Sequence, residues 1–265
     1  MNLKMIRPYA RVVALSFEMT LRNNVTDAFF LFGILVQPLL VAMIAFWMLQ
    51  DRGGDYVIFV VIGSGMTGMW TAVLFESGNS ITHERWEGTL ESLIASPTPA
   101  QVVVFGRSLA IILTSLASMI LSFTLAMLVF GVVPQVEQPG YFALSILFGM
   151  ASYICFGLII APVFVLNPDV QRLQNGLEFP VYILAGFLFP IALLPVWTTP
   201  LSYILSPYWA ARALHETASG FATPERLAFY WAMMVILSVI YLLISWRLFR
   251  SLIRRARADA TLSMQ

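Results

Sequence analysis

The residues able to do chemistry are few and scattered. His83 and His215 stand far apart, and the single cysteine, Cys155, lies within an apolar run. A protein metal site needs several ligands in register and a disulfide framework needs paired thiols, so neither is expected of this chain. Gly63-Ser64-Gly65-Met66-Thr67-Gly68 matches a dinucleotide fingerprint. That pattern holds a pyrophosphate only where a strand turns into a helix. Here it falls inside a long apolar stretch, where small residues instead let membrane helices approach closely. Gly65, Gly68, Ala72 and Glu76 share one helical face. Lys4 is the only lysine, so no phosphate-binding loop ending in Gly-Lys-Ser/Thr can form. By that route the chain neither binds nor hydrolyses ATP.

What remains is acidic. Glu76 and Glu178 interrupt apolar stretches. A carboxylate inside a span is costly and marks a candidate functional position, although both fall near helix ends, where snorkelling to water is the alternative. The richest segment is 80–97. Read as one helix, it sets Glu84, Glu87 and Glu91 on one face and Trp86, Leu90, Leu93 and Ile94 on the other, with Pro97 and Pro99 ending it. The acidic face is either solvated or gripped by a cytoplasmic partner. Anionic lipid repels it, which favours the protein partner.

The elements that carry these residues follow from composition. Hydrophobic residues make up 59% of the chain and charged ones 11%, with a mean hydropathy of +0.82. A soluble domain has roughly 25% charged residues, so lipid must be the solvent for much of this chain. The stretches 28–49, 56–75, 108–133, 141–166, 177–194 and 227–246 each approach the ~20 apolar residues that cross a bilayer. None alternates as a lipid-facing strand would, so all six are expected to be helices of one all-α domain spanning 1–265, three within 28–133 and three within 141–246. With both termini in the cytoplasm, 12 of the 15 Lys and Arg residues lie inside, which sets the orientation. Residues 1–26 carry an apolar stripe (Tyr9, Val12, Val13, Ser16, Phe17) and are expected to lie along the inner membrane surface. Arg11, Glu18 and Arg22 interrupt what would be a signal peptide, so the first apolar run is expected to remain as an anchor. Residues 247–265 form a basic cytoplasmic tail. A net charge of +1 gives nucleic acid no purchase.

After the fifth stretch, Pro190, Pro195, Pro200 and Pro207 recur too densely for one helix, yet the residues between them are too apolar for an ordinary loop. Short half-helices over 190–215, dipping back into the outer leaflet, satisfy both properties. Phe189 and Leu194 would then face the substrate path as a plug. Trp197, Tyr203, Tyr208 and Trp209 read as an interfacial aromatic belt, with the lining of an exit as the alternative.

Glu84-Arg85-Trp86-Glu87-Gly88-Thr89-Leu90-Glu91, followed by Leu93 and Ser96-Pro97, resembles the E-R-x-x-G-T-L-E-x-L signature of type-2 ABC transporter permeases. Ala185-Gly186-Phe187-Leu188-Phe189-Pro190, then Leu194-Pro195-x-Trp197 and Pro207-Tyr208, is similar to that family's fifth helix and outer re-entrant hairpin. Trp209-Ala210-Ala211 departs from the commoner Thr-Tyr-Ala, and the short outer loops leave no large external domain. The resemblance implies the membrane-spanning subunit of an ATP-driven exporter in a prokaryotic plasma membrane, paired with an identical or related permease. Its cargo would be an amphiphilic, drug-like, lipid or saccharide substrate. Cytoplasmic ATPase subunits would bind ATP and Mg, this chain would bind no cofactor, and it would not be an enzyme. The resemblance further implies that Glu84, Arg85, Glu87, Gly88, Thr89 and Glu91 couple to the ATPase, with Asp169 and Arg172 as a lesser contact. Glu76, Glu178, Phe189, Pro190, Leu194 and Pro195 are the candidates for the substrate path or gate. An ion-coupled secondary carrier is the alternative, but it wants charge at the midplane, and the central thirds of these stretches have almost none. A membrane-embedded enzyme would need clustered His, Asp or Glu at one depth, which two distant histidines do not supply.

Overall fold

The computed structural model describes residues 3–32, 36–49, 55–86, 88–96, 98–131, 135–165 and 169–262, and every regular element among them is a helix. In chain order these are α1 (Leu3–Thr26), α2 (Ala28–Leu31), α3 (Gln37–Leu49), α4 (Asp55–Ala72), a π-helical segment (Val73–Ser77), α5 (Gly78–Trp86), α6 (Leu90–Ala95), α7 (Ala100–Phe130), α8 (Pro139–Val165), α9 (Val170–Ala185), α10 (Thr199–Ile204), α11 (Ser206–Ala218) and α12 (Pro224–Leu262). Short 3-10 turns at Ile191–Leu193 and Val196–Thr198 link α9 to α10.

Four of these helical stretches are long and apolar enough to cross a membrane: Val57–Glu84, Ala100–Leu121, Pro139–Val165 and Pro224–Leu252. They match the expected second, third, fourth and sixth spans. The expected first span, 28–49, runs over residues 33–35, which lie outside the described set. The expected fifth, 177–194, is corrected. Its helix starts earlier, at Val170, and stops at Ala185 after 16 residues, because Gly186 adopts the left-handed conformation at φ 68° and ends it.

The bundle is organised around α4 and its continuation. Every residue from Val60 to Leu74 is buried. Glycines set how closely the neighbours come. A Cβ on Gly63 would sit 2.0 Å from the Phe187 carbonyl oxygen, and one on Gly65 would sit 2.6 Å from the Met119 side chain. The fingerprint-like run is therefore a packing surface for α7 and for the turn after α9. α1 lies across α7, where a Cβ on Gly106 would meet the Val13 carbonyl oxygen at 2.7 Å.

Candidate functional site

The segment joining α4 to α7 makes a structured elbow. α4, the π segment and α5 run on without a break to Trp86, so Glu76 sits on the π turn at the start of the elbow's supporting arm. Such turns insert one residue into a helix and recur at functional positions. The arm stops because Gly88 takes φ +72°, a region that strains any residue with a Cβ. The expectation of one continuous helix over 80–97 is thereby corrected. The helix breaks at Gly88, and α6 starts anew at Leu90, so Glu84 and Glu91 belong to different helices. Glu87 and Pro97 lie outside the described residues, as do the side chains of Arg85, Leu90, Glu91 and Ile94.

Glu84 faces inwards. Its carboxylate pairs with the Arg107 guanidinium and accepts from the Thr89 hydroxyl. The Thr89 amide donates to the Glu84 carbonyl at 2.9 Å. Arg107 also donates to the Ser80 carbonyl at 2.7 Å. The Glu84 and Arg107 side chains are only 13% and 21% exposed. Glu84, Gly88 and Thr89 thus build the elbow's turn and strap it to α7. Below the turn, Leu93 packs on a cluster of Ile81, Val104, Leu158, Val165 and Phe249, which joins the elbow to α8 and α12. The outward surface is Trp86, 68% exposed, with Gly88, Thr89 and Ser92. Trp86 and Leu93, expected together on one apolar face, are separated by the break at Gly88: Leu93 is seated on the bundle, whereas Trp86 is exposed. At the second expected contact, Asp169 and Arg172 form an exposed ion pair at 3.3 Å at the start of α9.

The two acids that interrupt apolar stretches have separate surroundings. Glu76 lines a polar cavity of about 240 Å³ with Asn23, Asn24 and Asp27 of the α1–α2 region, Asn79, His83 and Arg107. Glu178 is buried. Its Oε1 accepts from Gln37 Nε2 and from the Tyr182 hydroxyl, both at 3.0 Å, and that hydroxyl lies 2.6 Å from Thr71 Oγ1. This chain of bonds ties α3, α4 and α9 together.

Beyond Gly186 the prolines act as expected. Pro200 and Pro207 stand in the first turns of α10 and α11, where a missing amide costs nothing. The break between these helices is covered by α12: the Tyr241 hydroxyl donates to the Ile204 carbonyl at 2.6 Å and accepts from the Ser206 amide at 3.1 Å. Tyr241 lies 17 residues beyond Pro224, about 25 Å along α12 at 1.5 Å per residue. Near the other end of α11, Glu216 accepts from the Tyr230 hydroxyl at 2.7 Å and pairs with Arg212 at 2.9 Å. α11 therefore runs alongside the first half of α12 in the opposite direction. Tyr208 and Trp209 are buried in that contact, Trp209 stacking on Tyr203 and meeting the Phe229 ring edge-on and the Tyr230 ring at a tilt, so the belt reading is corrected for these two. Only Trp197 and Tyr203 stay exposed. His215 stacks on Phe59 of α4 at 3.7 Å and reaches the Phe187 carbonyl at 3.3 Å. Phe189 and Leu194 are half-buried, Pro190 and Pro195 exposed, and Leu193, Val196 and Trp197 expose large apolar surfaces around them.

Sequence reasoning did not single out Arg107, Gln37, Thr71, Tyr182 or Tyr241. Arg107 had a signal: it is the only charged residue in α7, and a lone cation in an apolar helix calls for a partner. The others are ordinary polar residues in apolar stretches, and nothing in their spacing pairs them.

A family model described as the ABC-2 type transporter matches residues 12–218. None of the curated proteins matches the chain.

Proposed function

Since this chain belongs to the ABC-2 type transporter family, and is a transmembrane permease subunit of an ABC transporter, we propose that it moves an amphiphilic substrate (drug-like, lipid or saccharide) out of a prokaryotic cell, driven by ATP that a separate cytoplasmic ATPase binds with Mg. The observation that carries this reading is the elbow. Its outward face is exposed and apolar at Trp86, while its inner face is strapped to α7 by Glu84 and Arg107 and seated on α8 and α12 through Leu93. A push on that face is transmitted along α5 through the π segment into the buried α4, instead of being absorbed by a loose loop. Glu84, Gly88 and Thr89 set the lever's shape, and Arg85, Glu87 and Glu91 would complete the contact, with Asp169 and Arg172 beside it.

The remaining architecture belongs to the same proposal. Both termini are cytoplasmic, and α3 and α9 complete six crossings. α10 and α11 form the re-entrant hairpin. The level of Tyr241 on α12 supports this, since a backbone break so far along a spanning helix must be covered by protein. Phe189, Pro190, Leu194 and Pro195 would gate the path between this chain and an identical or related permease. Buried Glu178 is an observation that favours an ion-coupled carrier, since such carriers place acids within the membrane. Its two hydrogen bonds fit a structural tie equally well, and Glu178→Gln separates the two: a tie leaves transport within about twofold, whereas a coupling acid loses it.

The test uses the cytoplasmic ABC ATPase that co-purifies with the permease from its native membrane, reconstituted with it in lipid nanodiscs. Trp86→Asp combined with Ser92→Arg should leave the permease folded and membrane-inserted but release the ATPase and abolish substrate-stimulated ATP hydrolysis. Normal hydrolysis and retention in the double variant would refute the elbow as the docking site. For orientation, with Cys155 replaced, cysteines at Glu137 and Thr223 should react with an impermeant reagent from outside, and one at Ala258 should not.

A further inference from the structure

Two helices whose nearby charges are all positive converge on an apolar groove. α1 contributes Tyr9 and Val13, α7 Phe105, α8 Leu158, and α12 Leu242 and Trp246, around a space of about 690 Å³. That is within the ~300–1,000 Å³ usual for small-molecule sites. The groove has a firm frame. Ser245 Oγ donates to the Leu158 carbonyl at 2.8 Å, holding α12 to α8, and the close approach at Gly106 holds α1 to α7. It is also open, since Phe105 is 37% and Trp246 45% exposed.

The rim carries one sign of charge. One turn beyond Trp246, the Arg250 guanidinium lies 3.8 Å from the centre of the Trp246 ring. Arg247, Arg250 and Arg254 are exposed, and the sequence has no acid from Tyr241 to Ala258. On α1 the residues up to Phe17 include Arg11, again with no acid, and neither α7 over 100–106 nor α8 over 155–165 carries any charge. Leu242 and Trp246 fall within the apolar span Pro224–Leu252, while Arg254 lies past its end. Along α12 the surface thus changes from hydrocarbon-like to cationic within about three turns, the same step a phospholipid makes from acyl chain to phosphate. Basic pockets between membrane helices recognise lipid head groups in this way.

We propose that this groove binds one anionic diacyl phospholipid, with an acyl chain between Val13, Phe105 and Leu242 and the phosphate held by Arg247, Arg250 and Arg254. An anionic head group gains from every cation on the rim, whereas a zwitterionic one brings its own ammonium against them.

Native mass spectrometry of the purified full-length chain tests this with phosphatidylglycerol and phosphatidylcholine of matched acyl chains. The wild type should retain one phosphatidylglycerol with roughly tenfold preference, since each basic residue near an anionic head group contributes on the order of a few-fold. Adding salt should erase the preference without releasing phosphatidylcholine. R247Q/R250Q/R254Q should bind the two lipids equally, and Ala10→Trp, which fills the groove, should lower retention of both. Glycerol phosphate without acyl chains should not compete. Equal retention by the wild type, a salt-insensitive preference, or displacement by glycerol phosphate would each overturn the proposal, and the salt experiment decides it even where the triple variant fails to fold.

Discussion

The elbow after α5 and the broken helices before α12 solve opposite problems with the same materials. Both interrupt a helix, the first at a left-handed glycine and the second ahead of proline-led helix starts. The elbow is held from within at the Glu84 carboxylate, which pairs with Arg107 and accepts from the Thr89 hydroxyl, and it leaves Trp86 outside. The α10–α11 break is held from outside by a neighbour, Tyr241, and buries its aromatics, Tyr208 and Trp209. The contrast follows from solvent. On the proposed topology the elbow faces water, so only the turn's geometry needs specifying, and a polar strap suffices. On the same topology the α10–α11 break lies in hydrocarbon, where each exposed amide or carbonyl would cost several kcal/mol, so another helix must supply the partner. On that proposal one region is built to be touched, the other to be sealed.

That comparison can be broken in four places, starting with the contact both regions depend on. Gly63→Leu drives a side chain into the Phe187 backbone, which cannot step aside. It should cost about 3 kcal/mol or more, read as loss of the folded protein in a thermal unfolding assay in detergent. Retention of wild-type stability would mean that the turn after α9 is not packed on α4. Next in size is Arg107→Gln, which leaves Glu84 largely buried without its cation. It should cost about 2 kcal/mol and, more tellingly, raise ATP hydrolysis in the absence of substrate while transport falls. The exchange Glu84→Arg with Arg107→Glu should restore part of both, and failure of any rescue would argue against a pairwise strap.

Tyr241→Phe comes third. It removes one hydroxyl serving two backbone groups and should cost about 1–2 kcal/mol. The informative reading is local: a cysteine at Leu205 should become several-fold more reactive, while ATPase retention is unchanged. A cysteine as unreactive as in the wild type would show that the break is sealed by something other than Tyr241. Last, Trp86→Ala should change stability by no more than about 0.5 kcal/mol, as expected of an exposed side chain, yet weaken ATPase binding about tenfold as an interface aromatic does. If binding is unchanged, the elbow's exposed face is not where the ATPase docks.

The two regions also differ in how far the sequence discloses them. The elbow's residues were marked by type and spacing, but the geometry was misread there. Gly88 looked like one position in an amphipathic helix, and only its φ of +72° shows that the acidic residues on either side belong to different helices. Glycine is permissive, and a pattern of apolar and charged residues does not say which of its conformations is used. Beyond Gly186 the prolines foretold short helices in place of one continuous helix. Tyr208 and Trp209 nevertheless looked like belt residues, because an aromatic is suited both to an interface and to a core.

Composition and hydropathy determined by themselves that the chain is helical and lives in lipid, because a chain so poor in charge cannot cover itself in water. The spans at 56–75, 108–133, 141–166 and 227–246 followed from the length needed to cross a bilayer, and the missing lysine ruled out a phosphate-binding loop. The tertiary structure alone decided which polar residues meet. Glu84 finds Arg107 across 23 positions, and Glu178 finds Gln37 across 141. It alone set the limits of α9 and brought Tyr241 to the α10–α11 break. Periodicity is a local property that reports which solvent a face will meet. Pairing depends on how the helices are arranged around α4, and that arrangement is set by contacts such as Gly63 against Phe187, whose partners lie far apart in the chain.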